Sequence, residues 1–83
     1  MQAPGQISVT VKLHGHLAWY LAGRQEELTV QVSAGTTLDD LVRQLGVPGP
    51  EVWLVARNGV HVKGGETLAE GDRVELIPVV AGG

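Results

Sequence analysis

The segment LTVQVSAGTTLDDLVRQLGVP, residues 28–48, decides the fold, because within it the spacing of apolar residues changes from two to between three and four. Leu28, Val30 and Val32 alternate with Thr29, Gln31 and Ser33, the pattern of a half-buried strand that ends at Ala34-Gly35. Leu38, Leu41, Val42 and Leu45 then fall at i, i+3, i+4 and i+7, one apolar stripe along a helix. Thr37 with Asp40 three residues on gives a capping pattern, and Asp39 and Asp40 occupy the first turn, where the helix dipole favours negative charge. Gly46 and Pro48 stop the helix.

Upstream, Ile7, Val9, Val11 and Leu13 alternate with Ser8, Thr10 and Lys12, which predicts a first strand. The connection from His14 to Glu27 is too long for a tight hairpin; Leu17, Tyr20 and Leu21 fit one or two helical turns before Gly23. Downstream, Val52 to Ala56 is a nearly unbroken apolar run, the pattern of a strand covered on both faces or lying at the sheet centre, with Trp53 expected in the core. Asn58-Gly59 predicts a type I′ hairpin turn, since both positions must take positive φ, and Val60 to Val62 is the return strand. Gly64-Gly65 and Glu70-Gly71-Asp72 read as turns around Leu68, and Arg73 to Val80 as the last strand, with Val74 and Leu76 inward. Pro78 ends normal ladder pairing. The order strand, strand, helix, strand, short strand, strand describes an α+β domain of the β-grasp, or ubiquitin-like, class: a mixed sheet of four to five strands with one main helix on one face.

At 83 residues the chain is one domain, residues 1–83, and buries only about 60 to 65% of the surface its unfolded form exposes. It has no cysteine, hence no disulfide, no zinc-thiolate site and no thiol nucleophile. The net charge is −3, and Lys12, Arg24, Arg43, Arg57, Lys63 and Arg73 stand singly, so there is no basic stripe for nucleic acid. A mildly acidic surface favours a protein partner with a basic docking face. Met1-Gln2-Ala3-Pro4-Gly5 is neither basic nor followed by a long apolar run, so neither a signal peptide nor a membrane span is expected, and the cytoplasm is the expected location. His14, His16 and His61 lack a carboxylate or cysteine at ligand spacing and are expected to be solvent-exposed, with no metal. Asp39 and Asp40 point about 100° apart on a helix and do not form a paired-carboxylate site. Trp19 and Tyr20 either cap the sheet edge or form a contact patch.

The remaining feature is Pro78-Val79-Val80-Ala81-Gly82-Gly83. The two terminal glycines carry no Cβ, so the backbone can enter a narrow channel. If the last strand is central, residues 78–83 form a flexible tail that projects at most about 17 Å beyond Pro78. With Arg57-Asn58-Gly59 in the hairpin, Leu68 and Gly71-Asp72 before the last strand, and Pro78 leading into Val80-Ala81-Gly82-Gly83, the chain resembles the small sulfur carriers of the MoaD/ThiS type.

That resemblance implies a carrier rather than a catalyst. An ubiquitin-activating-type enzyme, itself binding ATP and Mg²⁺, adenylates the carboxylate of Gly83, and a persulfide or sulfide donor converts it to a thiocarboxylate. Gly82, Ala81, Val80 and Val79 then enter the partner's channel. The carrier binds no cofactor permanently, and the acceptor is the large subunit of a molybdopterin synthase or another sulfur-accepting enzyme. The sequence departs from the family at His14-Gly15-His16, where many molybdopterin-type members have an aromatic-containing segment, and at Val79, where a second proline is common. Length leans toward the molybdopterin type. Other readings of the same tail are a carrier for thiamine or tRNA thiolation, an ubiquitin-like modifier joined to lysines through Gly83, and a β-grasp binding module with an incidental tail.

Overall fold

The computed structural model describes residues 5–79. Strands β1 (Gln6–Leu13) and β2 (Glu27–Ser33) precede helix α1 (Leu38–Leu45), and β3 (Val52–Arg57), β4 (Val60–Val62) and β5 (Arg73–Pro78) follow it. They form one five-stranded sheet in the order β2-β1-β5-β3-β4. β1 runs antiparallel to β2 and parallel to β5, while β3 runs antiparallel to both β5 and β4. This mixed sheet with a single α-helix is a β-grasp of the α+β class, as the element order predicts.

Register explains which residues are buried. Val9 pairs with Val30, Val11 with both Leu28 and Val74, and Leu13 with Leu76, so their side chains share one face. That face packs against Leu38, Leu41 and Val42 of α1, and Leu17 fills the space beneath the long β1–β2 connection. The helical turns expected there are 3₁₀ turns, Gly15–Tyr20 and Ala22–Arg24. With one helix for one sheet, the opposite face is uncovered among the described residues: Ser8, Thr10, Lys12, Glu75 and Ile77 there are exposed or half-buried.

α1 starts where its cap predicts. Thr37 Oγ1 accepts the Asp40 N–H at 3.2 Å, and Asp40 Oδ2 accepts the Thr37 N–H at 3.3 Å. Arg43 closes an ion pair onto Asp40. At the other end Gly46 takes the left-handed conformation, φ 79°. The Thr37 amide, followed by the Arg43 guanidinium and the Thr37 hydroxyl, holds the Asp40 carboxyl below its ordinary value of 3.8. A carboxyl lowered on folding stabilises the fold above the unfolded value, and that contribution disappears as pH falls through the folded one. Thr37→Ala removes the hydroxyl that accepts the Asp40 N–H and should cost about 1 kcal/mol. Because that variant keeps the Thr37 amide and Arg43, the two larger causes of the Asp40 shift, most of the deficit should persist on acidification, as urea unfolding at a series of pH values checks.

The β3–β4 hairpin turns at Asn58 and Gly59, φ 53° and 83°, the type I′ signature. A buried carboxylate secures it. Asp72 Oδ1 accepts from Asn58 Nδ2 at 3.0 Å and Asp72 Oδ2 from the Ala69 N–H at 2.8 Å, while Asn58 Oδ1 accepts the Arg73 N–H at 2.9 Å. Asp72→Ala strands two of those donors and should cost about 1 to 3 kcal/mol. Asp72→Asn, which keeps the Oδ1 acceptor, should cost less in the same denaturation series.

Three expectations need correction. Trp53 is not in the core; it is 65% exposed. Val52 pairs with Pro78 but Leu54 pairs with Ile77, so a bulge leaves Trp53 without a partner on β5. β3 is correspondingly not the sheet centre and is covered on one face only; the central strand is β5. The last strand also stops at Pro78, short of the expected Val80: the Val79 N–H makes the closing β3–β5 bond, to the Glu51 carbonyl, while the Glu51 N–H turns away to the Pro48 carbonyl.

Candidate functional site

The site expected from sequence lies where β5 ends. Parallel to β1 and antiparallel to β3, β5 carries the chain out through the middle of the sheet. Of the residues expected to enter a partner, Val79 is described; Val80, Ala81, Gly82 and Gly83 lie outside the described residues. Val79 is 45% exposed, and its N–H donates to the carbonyl oxygen of Glu51 at 2.9 Å. Pro78, where the expected tail begins, is buried and in the sheet.

Two segments close around this point. On one side the His14 N–H donates to the Leu76 carbonyl at 3.0 Å. Gly15, φ +56°, passes so close that a Cβ there would stand 3.0 Å from Pro78 Cγ. On the other side the turn Gly49–Glu51 presents the Glu51 carbonyl. The Tyr20 hydroxyl donates to Glu51 Oε1 at 3.0 Å, and His16 Nε2 lies 3.5 Å from the same oxygen. His16 and Tyr20 meet edge to face, ring centroids 6.4 Å apart. The hydrogen bond to Glu51, with smaller contributions from burial and the carboxylate charge, raises the Tyr20 hydroxyl above its ordinary value.

The histidines are therefore not simply solvent-facing. His14 Nε2 lies 2.8 Å from Glu75 Oε2, so His14 and His16 are each half-buried beside a carboxylate, while His61 is exposed. Among the described residues no group of three or more His, Cys, Asp or Glu is placed to hold a metal ion. Trp19 is 68% exposed, with the Arg24 guanidinium carbon 5.4 Å from its ring centroid. Trp19, Tyr20, Trp53 and Val79, exposed apolar side chains, thus come from segments that converge on the end of β5. Beside them the uncovered face continues through Ile77 and its partner Leu54. Such a surface can hold and present a chain end.

Sequence reading singled out Val79 and weighed Tyr20 as a contact residue, but missed Gly15 and Glu51. Gly15, flanked by two histidines, carries a usable signal. Glu51 acts through a main-chain carbonyl and carries none.

The sequence matches the profile of the ThiS family over residues 18–83. The chain belongs to the ThiS family. Members of this family are small ubiquitin-like carriers and modifiers rather than catalysts. The ThiS match begins after β1 and after His14-Gly15-His16, the segment that already departs from the family pattern. Among solved structures the chain is similar to SAMP1, a small archaeal modifier protein from Haloferax volcanii, at 29% identity over 92% of this chain and 99% of that one, TM-score 0.69. It shares its fold with a Pyrococcus furiosus protein designated molybdopterin converting factor, subunit 1, at 24% identity over 89% and 99%, TM-score 0.68. It also shares it with Urm1 from Trypanosoma brucei, at 23% identity over 98% and 100%, TM-score 0.67. No curated protein sequence matches the chain. No helix among the described residues is long and apolar enough to cross a membrane.

Proposed function

We propose that this ThiS-family protein is a sulfur carrier that works through the carboxylate of Gly83, with molybdopterin synthesis as the receiving pathway. A free α-carboxylate, pKa about 3.3 to 3.7, is an anion and a poor electrophile at neutral pH. Activation therefore comes first. A carboxylate oxygen attacks the α-phosphorus of ATP and pyrophosphate leaves; the ATP and its Mg²⁺ sit in an ubiquitin-activating-type partner. A sulfide donor then displaces AMP to give the thiocarboxylate. With a persulfide donor, the first product is an acyl disulfide, which a thiol cleaves to thiocarboxylate and a disulfide. Delivery is to the large subunit of a molybdopterin synthase, where Val79, Val80, Ala81 and Gly82 line the partner's channel.

The observation that carries this reading is the family match running through Gly83. The central position of β5 supports it, since the sheet then holds the chain firmly up to the point where the partner takes over. Similarity to a small archaeal modifier protein favours a second reading, in which the same activated Gly83 acylates lysines of other proteins. Both start with adenylation. The test is formation of an acyl-adenylate from α-labelled ATP with the source organism's activating enzyme, abolished by deleting Gly83. Gly83-dependent conjugates in cells would then separate the modifier from the carrier.

A further inference from the structure

We propose that Gly15, Tyr20 and Glu51 are positioning residues for the chemistry at Gly83: they clamp the end of β5 and fix the point and direction at which the chain leaves the sheet. This rests on the carrier reading above. Val52 and Pro78 form the last pair of the β3–β5 ladder, because the N–H of Glu51 turns away to the Pro48 carbonyl and makes no further pair. The next donor, the Val79 N–H, is taken up 2.9 Å away by the carbonyl of Glu51, a residue that precedes β3.

Glu51 is fixed in turn. Its N–H donates to the Pro48 carbonyl at 3.0 Å, and its carboxylate receives the Tyr20 hydroxyl at 3.0 Å with His16 Nε2 at 3.5 Å. On the opposite side Gly15 lies against the Pro78 ring with no room for a methyl group at ordinary contact distance. The turns Gly15–Tyr20 and Gly49–Glu51, from separate parts of the chain, thus meet across two consecutive residues, Pro78 and Val79. The core does not require this. Leu76 is already fully buried, and Glu51 and Tyr20 place their polar groups at the surface.

A chain end held in one direction loses less freedom on entering a partner, so the clamp should act on binding rather than on the chemical step. Freeing the backbone of one residue is worth about five- to thirtyfold in an equilibrium. Gly15→Ala, which pushes on Pro78, should raise the KM for this protein in adenylation by that factor while leaving kcat within about twofold. Tyr20→Phe removes one hydroxyl, keeps the ring, and should raise KM by about two- to threefold. Hydrogen exchange read by NMR should show the Val79 amide losing protection in both variants while the Val74 and Leu76 amides keep theirs.

The experiment is therefore ATP–pyrophosphate exchange by the activating enzyme against concentration of the unaltered protein, Gly15→Ala and Tyr20→Phe, with amide exchange on the same samples. Higher KM at constant kcat, with the Val79 amide exposed, is the expected result. Equal KM for all three, with the unaltered protein active, overturns the clamp and leaves the carrier standing. If Gly15→Ala does not fold, Tyr20→Phe decides alone. No exchange with the unaltered protein overturns the carrier reading, and the positioning role falls with it.

Discussion

Gly82→Trp is expected to abolish adenylation of Gly83 while leaving the fold as stable as before. The buried apolar cluster among the described residues runs from Val9 to Leu76, and glycine at position 82 has no side chain to contribute to a core. Unfolding by urea should shift by no more than about 0.5 kcal/mol, the range expected if the tail has no structural role. The activating enzyme, by contrast, must bring the carboxylate of Gly83 into line with the α-phosphorus. An indole next to the reacting group obstructs the approach. A misplacement of 1 Å already costs about a hundredfold, so activity should fall at least that far. Loss of folding in Gly82→Trp would show that the tail is structural and contradict the carrier reading.

The second large effect lies at the centre of the sheet. Leu76 is 0% exposed, pairs with Leu13 on one side and Val55 on the other, and packs into the cluster beneath α1. Leu76→Ala should cost about 2 to 5 kcal/mol. A domain of 83 residues has about 4 to 12 kcal/mol in all, and this chain has no disulfide to compensate. The variant should be largely or partly unfolded at 37 °C, visible as a lower urea midpoint and lost amide protection along β5. Its neighbour is the control. Ile77 is half-buried on the uncovered face, opposite Leu54, and Ile77→Ala should cost clearly less. Equal losses at 76 and 77 would mean that both faces of β5 are covered.

Features fixed by neighbours in sequence were legible. α1 begins and ends where Thr37, Asp40 and Gly46 place it, because a cap needs only residues within one turn. The Asn58-Gly59 turn is equally local. Where the reading went astray, a residue's environment depends on a strand distant in sequence. Trp53 looks like core in its own apolar run, and only the register shift between Val52 and Leu54 against β5 leaves it exposed. His14 has no nearby carboxylate in sequence and meets Glu75 through β5. Asp72, read as a turn residue, proved to be the buried acceptor that ties the hairpin to the start of β5. At the candidate site, Val79 and Tyr20 were visible, while the Glu51 carbonyl was not, since every residue has one.

The carrier reading is tested most directly by the intact mass of the protein after incubation with ATP, Mg²⁺, the activating enzyme and a sulfide donor, with fragment ions locating any change. The predicted result is a gain equal to exchanging one oxygen for one sulfur, confined to Gly83 and absent without ATP. An unchanged mass, with the enzyme shown to act on its own substrate under the same conditions, would contradict it.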